Sequence, residues 1–545
     1  MTSCYKDKSN IGLKTINEFT INGIEKNYRD FIYGKDTLKI NPNIVSSKKN
    51  QEYTYLWYIY KSNITSGILK IDTICHKKNL VYPIKKDENK DIEFISVGNS
   101  YVLIFEVKNK ETEVIELKKT KFSVLTKMSK GWYILKDNNS ATEIDFFYKY
   151  DFSKKTQNML SENSILIHGK PLSLSFLKDL NTGTGVPSTC VVAVTDKNIS
   201  FIKINDNKGI LKEMLDYNTL FKPQPANRSP IAFITQKTGK QFAINDNKLY
   251  ACDFIYNYSM WGTALTYFGN PVSTPQGGTE YNNLKLSKRF LPFQGKAVFF
   301  DKESSSFLYY DRFELKFFPD KIDILNENWE KIGTKILKPN KKLEADIIYA
   351  GKKKIIKDRY GIVVNIPNSI AILKERSSQK LLLYHFKFTV KSLRSPVSAD
   401  PVFKIDTILA NHELAKADKY AINKNADFLY YVKNNEIKYY DLNYKQTQLL
   451  YTLPAGEKVT YMHHAKYEVR KLLSKEAIDE DHWFNKLVVA TYSSGKYKVY
   501  LFDILEQNEQ KLNNNPIILE GNGRVVDALY ISPSLNHASY DSQHN

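Results

Sequence analysis

The sequence predicts an all-β protein, a β-sandwich followed by a seven-bladed β-propeller. Three observations carry that expectation. Hydrophobic periodicity is two almost throughout, as in "YTYLWYIYKS" (Tyr53–Ser62), "YVLIFEVKNK" (Tyr101–Lys110) and "NEIKYYDLNY" (Asn435–Tyr444), all β-branched and aromatic and bounded by turn residues. At 63.1 kDa the chain exceeds one compact core and must divide. From Gly131 onward one strand–turn–strand phrase recurs, whereas the first part has no such repeat.

The elements follow in order. Residues 1–14 form a polar tether and residues 15–127 a sandwich. "INEFTINGI" (Ile16–Ile24) opens it, "DTLKINPNIV" (Asp36–Val45) follows, and "YTYLWYIY" supplies a central strand with Trp57 as its core residue. "NLVYPIK" and the run from Ser100 to Leu125 close it, giving about seven strands in an immunoglobulin-like arrangement. Trp57 has no inter-sheet disulfide to pack on, which excludes an antibody-type domain.

Residues 128–545 form the propeller. Its units begin near "GWYILKD" (Gly131), "CVVAVTDKNISFIKI" (Cys190), "QFAINDNKLYACDF" (Gln241), "KAVFFDKESSSFLYYDR" (Lys296), "YGIVVNIPNSIAILK" (Tyr360), "KYAINKNADFLYYVKNNEIKYYDLN" (Lys419) and "NKLVVATYSSGKYKVYLFDI" (Asn485). Each is a strand, a polar turn and a second strand ending in an aromatic and Asp, the logic of a propeller blade. A pair of stacked sandwiches is the competing reading. Helices are expected only at "HELAKADKYA" (His412–Ala421) and at Lys466–Trp483.

Composition excludes several function classes. The formal charge is +20, yet only nine arginines occur: Arg29, Arg228, Arg289, Arg312, Arg359, Arg376, Arg394, Arg470 and Arg524. Arg is the side chain of bidentate phosphate and base contacts, so its scarcity argues against nucleic acid as a partner. The excess of Lys, Asn, Ile and Tyr is what an AT-rich genome encodes. Four cysteines, Cys4, Cys75, Cys190 and Cys252, lie far apart without a Cys-x-x-Cys or nearby His pair, so no metal site is expected. His463 and His464 are neighbours in a strand and point to opposite faces, so they do not share a metal.

No catalytic residue and no cofactor are expected. His-Glu-x-x-His, Gly-x-Ser-x-Gly and phosphate-cradling loops are missing from the sequence, and "NTGTGVPS" (Asn181–Ser188) lacks the Lys-Ser/Thr of a phosphate loop. Asp253, Asp311, Asp441 and Asp503 recur at blade ends and so serve the blades, as acceptors for turn N–H groups, rather than a carboxylate-pair hydrolysis. Ligand-binding candidates come from two aromatic segments. "DFIYNYSMWGTALTYFGNPVSTPQGGTEYNN" (Asp253–Asn283) is too long for a blade turn and carries Tyr256, Tyr258, Trp261, Tyr267, Phe268 and Tyr281; "DEDHWFNK" carries Trp483 and Phe484. Rings beside Asn, Gln and Gly offer the flat apolar face and short polar reach that hold sugars or peptide backbones. The competing role is to pin the long loop onto the propeller.

The start "TSCYKDKSN", the Ile-Asn-Glu strand, the Tyr-x-Trp strand and "SKGWYILKD" resemble the PKD-like family of lipoproteins of Bacteroidota over the first 140 residues. The resemblance implies that Cys4 is the lipidated cysteine, that Met1, Thr2 and Ser3 are the end of a lipobox, and that residues 1–14 tether the protein to the outer membrane, exposed at the cell surface. It further implies a non-enzymatic accessory role beside SusC/SusD-like TonB-dependent importers, with a glycan or peptide ligand. The alternatives are a stand-alone surface glycan-binding lipoprotein and a subunit of another outer-membrane secretion or insertion assembly. Two or three acyl chains anchor a protein stably without a transmembrane helix.

Overall fold

The computed structural model describes residues 19–61, 70–85, 95, 100–125, 128–139, 141–148, 152–180, 188–204, 211–235, 240–253, 267–272, 284–293, 296–311, 314–317, 321–325, 331–336, 344–352, 356–357, 363–388, 402–466, 484–505 and 511–532. The described residues up to Lys130 form one compact unit and those from Gly131 form the other.

The first unit is a sandwich of nine strands among the described residues: β1 (Phe19–Asn22), β2 (Asn27–Ile32), β3 (Thr37–Ile40), β4 (Asn43–Ser46), β5 (Tyr53–Lys61), β6 (Asp72–Cys75), β7 (Leu80–Pro83), β8 (Ser100–Asn109) and β9 (Ile115–Leu125). One layer is a five-stranded sheet in the order β2-β9-β8-β5-β6, with β2 parallel to β9; the other consists of the pairs β1-β4 and β3-β7. Strand alternation sends Phe19, Ile21, Leu38, Ile40 and Leu80 from the paired strands onto Trp57, Ile59, Leu103 and Phe105 of the large sheet. Trp57 is fully buried, stacks on Phe105 with centroids 4.3 Å apart, and donates its Nε1–H to the carbonyls of Lys77 and Lys78. Cys75, on the neighbouring strand β6 of the same sheet, pairs in register with Trp57 and is a free thiol.

The second unit is a propeller. Its strands are β10 (Gly131–Asn138), β11 (Ala141–Tyr148) and β12 (Lys154–Thr156); β13 (Pro171–Leu180), β14 (Ser188–Thr195), β15 (Ile199–Lys203) and β16 (Lys212–Leu215); β17 (Pro230–Ile234), β18 (Lys240–Asn245) and β19 (Lys248–Asp253). There follow β20 (Leu291–Phe293), β21 (Lys296–Asp301), β22 (Ser306–Asp311) and β23 (Glu314–Phe317), then the separate hairpin β24 (Lys321–Leu325) and β25 (Lys331–Ile336). Next come β26 (Ala345–Gly351), β27 (Ile356–Lys357), β28 (Val363–Glu375), β29 (Leu381–Phe388) and β30 (Val402–Ile408), with β27 pairing to β28 off the main path. The last are β31 (Lys419–Ile422), β32 (Phe428–Lys433), β33 (Glu436–Asp441) and β34 (Thr447–Thr452), then β35 (Lys458–Lys466), β36 (Asn485–Ser493), β37 (Lys496–Asp503) and β38 (Ile517–Asn522), and finally β39 (Arg524–Ile531).

These strands make seven antiparallel blades among the described residues, six of them in plain meander order. The remaining blade, numbered one because it holds β10, closes the ring: β39, from the end of the chain, is laid against β10 to complete the sheet β12-β11-β10-β39. Closure by hydrogen bonds between the two ends of the unit leaves no open seam between first and last blades. Apolar clusters fill the successive gaps between blades, for instance Leu177, Val192 and Phe201 against Phe233 and Ala243, and Leu383 and Ile372 against Leu429 and Tyr431. At the closing gap Trp132, Phe484 and Tyr530 stack together. Stacked sandwiches are thereby excluded.

Of the expected helices, His412–Ala421 contributes only a one-turn 3₁₀ segment, Glu413–Lys416, before β31 begins at Lys419. A capping His412 starts it through Nδ1 and Leu414 N–H, but one turn has no cooperative support and the Tyr420–Ile422 stretch is taken by blade pairing with β32. Lys466–Trp483 lies outside the described residues beyond Lys466. Two further single turns, α1 (Met159–Glu162) and α2 (Tyr217–Leu220), follow β12 and β16. Among the described residues, no helix is long and apolar enough to cross a membrane.

Candidate functional site: a charged cluster on the propeller axis

In each meander the first strand is the innermost, and the contacts β39–β13, β13–β17, β26–β31, β31–β35 and β35–β39 follow the inner ring. Charged side chains near the entries of these strands lie within electrostatic reach of one another across blades. Arg289 and Lys288 lie two and three residues ahead of β20, Lys419 opens β31 behind Asp418, and Arg524 opens β39, whose fourth residue is Asp527. Tyr461 stands on β35 and Leu174 on β13.

Asp527 is the fixed point of the cluster. One carboxylate oxygen accepts the Leu174 N–H at 2.8 Å and the other accepts the Ala528 N–H at 2.8 Å. Burial pushes its carboxyl up to about 6, against the opposing pull of those N–H groups, the Tyr461 hydroxyl and the Lys288 charge. The Leu174 bond also fastens blade two to the closing strand.

The cations around it repel one another. Burial lowers Lys288, and the Arg289 guanidinium lowers it further. Arg289 is itself lowered by burial, with Tyr349 and Asp527 opposing. Lys419 is lowered by burial first and then by Arg289, Arg524 and Lys288 together. Yet Lys288, Asp418 and Arg524 are exposed, and Arg289, Lys419, Tyr461 and Asp527 half-buried.

A second polar group lies where inner strands end. His464 on β35 is buried; its Nδ1 accepts the Lys424 N–H at 2.8 Å, so Nε2 carries the proton and donates to Asn485 Oδ1 at 2.7 Å. Burial pushes its imidazole down to about 3. Both ring nitrogens are thus used in joining blades, and His464 is a neutral structural side chain. Among the described residues no group of three or more His, Cys, Asp or Glu could hold a metal.

The sequence candidates are dispersed. Tyr256, Tyr258, Trp261, Tyr281, Trp483 and Cys4 lie outside the described residues, as does the "NTGTGVPS" segment up to Ser188. Tyr267 is half-buried with the Lys222 ammonium 5.3 Å from its ring centroid. Phe268 is fully buried among Phe221, Phe233 and Tyr250, and its backbone bonds to Leu220 and Lys222 hold the loop to α2. Phe484 stacks on Tyr530 at 4.4 Å and against Trp132. Phe268 and Phe484 are corrected from ligand contacts to packing residues, because neighbouring rings already cover their faces. Asp441 accepts the N–H groups of Asn443 and Tyr444, the expected turn role, whereas Asp503 instead pairs with Lys486. The side chains of Asp253 and Asp311 are outside the description.

Sequence reasoning passed over Lys288, Arg289, Lys419 and Arg524. The available signal was the rarity of arginine: in a chain that uses Lys nearly everywhere, Arg289 and Arg524 each sit at the entry of an inner strand.

Residues 4–171 match the model of the PKD-like family. The PKD-like segment starts on Cys4, spans the sandwich and takes in β10 to β12. No curated protein matches the chain. Among solved structures, the chain is similar to a quinonprotein alcohol dehydrogenase-like protein from Bacteroides thetaiotaomicron, at 13% identity and a TM-score of 0.40 over 93% of this chain and 97% of that one. It is also similar to the extracellular domain of a one component system from the same organism, at 9% identity and a TM-score of 0.33 over 91% and 69%. The WD40 domain of SCAP from fission yeast aligns at 11% identity and a TM-score of 0.31 over 65% and 75%. The assignment of blades rests on the chain's own sheet order.

Proposed function

We propose that this protein is a non-enzymatic, lipid-anchored binding component at the outer-membrane surface, serving a SusC/SusD-like TonB-dependent uptake complex for glycans or peptides. The observation that carries the reading is the PKD-like match, which begins on the very cysteine assigned to lipidation and runs through the sandwich. The propeller supplies the binding module. Its blades are locked by buried packing and polar bonds, which suits recognition by a rigid ring.

The test is expression from the natural locus with labelled fatty acid, followed by capture from detergent-solubilised membranes. An acylated Cys4 and co-purification of a SusC/SusD-like pair are expected. Retention of a polysaccharide by an acylated protein captured alone would replace the complex with the stand-alone glycan-binding reading. Different co-purifying machinery would point to another assembly, and an unmodified Cys4 would remove the membrane anchor.

A further inference from the structure

Where blade one meets blade seven, two carboxylates on alternate residues of β11 hold the single turn α1. Asp145 is fully buried and both its oxygens are engaged. The Lys136 ammonium lies 2.8 Å from Oδ1 and 2.9 Å from Oδ2, the Asn158 N–H donates to Oδ1 at 2.8 Å, and the Tyr497 hydroxyl donates to Oδ2 at 2.6 Å. Glu143, 4% exposed, uses only one oxygen. Its Oε1 accepts the Ser161 N–H at 3.2 Å and the Ser161 hydroxyl, whereas among the described residues its Oε2 is buried without a partner. Asn158 is the N-cap of α1, and an N-cap side chain ordinarily accepts an N–H of the first turn. Glu143 has taken that bond, and the Asn158 Oδ1 is likewise buried without a partner. Bonds to Asp145 and Glu143 pin the turn to β11 at Asn158 and Ser161, so the two unused oxygens are held at the same turn.

Both unused atoms are acceptors, and the local charges do not balance. Lys136 stands directly opposite Glu143 in the β10–β11 register, but its ammonium is spent on Asp145. Asp145 and Lys136 cancel, and the Glu143 carboxylate is left over. Burying two acceptors with no donor costs folding energy, and a small cation satisfies both of them together with the surplus charge. Carboxylate and amide oxygens are the ligands that suit hard cations. A divalent ion such as calcium asks for about six to eight oxygens, several of them carboxylate, and here Asp145 is already saturated. One positive charge completes the balance. Ser161 is exposed and Asn158 half-buried, which gives an ion its entry path and water for its remaining positions. We propose that this turn binds a monovalent alkali cation, sodium or potassium, between Glu143 Oε2 and Asn158 Oδ1. The ion fastens α1 to β11 beside the Asp145–Tyr497 bond that joins blades one and seven, so a specific cation stabilises the closing gap of the ring as well as packing does. The site is independent of the membrane anchor and of any uptake partner.

The test is urea denaturation of the purified full chain in sodium, potassium, calcium and choline chloride at equal ionic strength. The propeller transition should move to higher urea, saturably, in sodium or potassium relative to choline. At roughly ten times the dissociation constant of the ion, the folding equilibrium should gain about tenfold. Whichever alkali ion acts at the lower concentration is the one the site prefers. Glu143→Gln removes the surplus charge and offers an amide N–H to Asn158 Oδ1. It should be at least as stable as the unaltered chain in choline and should respond alike to every salt. Should that variant fail to fold, Asn158→Gly carries the test: it keeps the positive φ of the position, removes one ligand and should weaken the response. Glu162→Gln, at an exposed carboxylate on the same turn, should leave the response unchanged. Line broadening of the sodium NMR signal by the unaltered chain, lost in Glu143→Gln, reads the bound ion directly. Equal transitions in choline and the alkali salts, a response retained in Glu143→Gln, or a response to calcium alone would each overturn the proposal. A loss of stability in Glu143→Gln with no cation response in either chain would show that the Asn158 amide turns its own Nδ2 to Glu143 and that no ion is held.

Discussion

The sandwich and the propeller are both all-β, yet they bury different things. Among the described residues of the sandwich, the buried polar side chains are Asn109 and Thr120, and each makes a few separate bonds: Asn109 accepts the N–H groups of Glu111 and Thr112 and donates to Gln51 Oε1, and Thr120 donates to the Glu25 carbonyl. The propeller buries whole networks. Lys136 and Asp145 are paired at 2.8 Å with Tyr497 donating to the same carboxylate at 2.6 Å, and Glu457 accepts from Thr491, Lys498 and Tyr500. Burial first and then the Asp145 charge hold the Tyr497 phenol far above its ordinary range.

The difference follows from how each closes. Two sheets laid face to face fix their spacing by side-chain volume, and any apolar set of the right size fills the gap. A ring of blades must also fix the rotation of each blade against the next, and directional bonds do that where apolar contact does not. Asp145 illustrates the device, since it lies in blade one while Tyr497 belongs to blade seven.

Mutations can break this contrast. The largest effect belongs to the sandwich: Trp57→Ala should cost about 4 kcal/mol, a transfer and cavity loss. In urea denaturation the transition of the sandwich should move and that of the propeller stay; a shift in both would remove the claim of separate cores. Lys136→Met should cost about 3 kcal/mol, because it strands the buried Asp145 carboxylate. Its loss should appear in the propeller transition alone, and a neutral result would show the pair to be replaceable by packing.

The smallest effect sharpens the contrast through pH. His464 is neutral in the fold and protonates only near 3, whereas an unfolded histidine does so near 6.5. Between those values the unfolded chain binds the extra proton, so propeller stability is complete above 6.5 and is lost as pH falls. About 2 kcal/mol should be gone by roughly pH 5. His464→Gln, which keeps a donor and an acceptor, should flatten that slope in denaturation curves taken across the range; an unchanged slope would place the acid sensitivity elsewhere.

The fold was legible where strands are buried on both faces. The seven phrases found in the sequence fall mainly on the second and third strands of each blade, such as β21 with β22 and β36 with β37, where hydrophobic runs are continuous. First and fourth strands were faint. β20 has three residues and β12 three, and short edges carry too few side chains for a period to show. Phe268 and Phe484 were misjudged because a sequence reports that a ring is present, not whether another ring already covers it.

By itself the sequence determined the period-two pattern, the division into an unrepeated and a repeated part, Trp57 as a core residue and the overall positive charge, since each depends only on local order and composition. The tertiary structure alone decided that the last strand completes the first blade. It also brought Lys288, Arg289, Lys419, Arg524 and Asp527, up to 239 positions apart in the chain, into electrostatic reach of one another. Ring closure is a long-range pairing, and charges separated by whole blades become neighbours only after it forms.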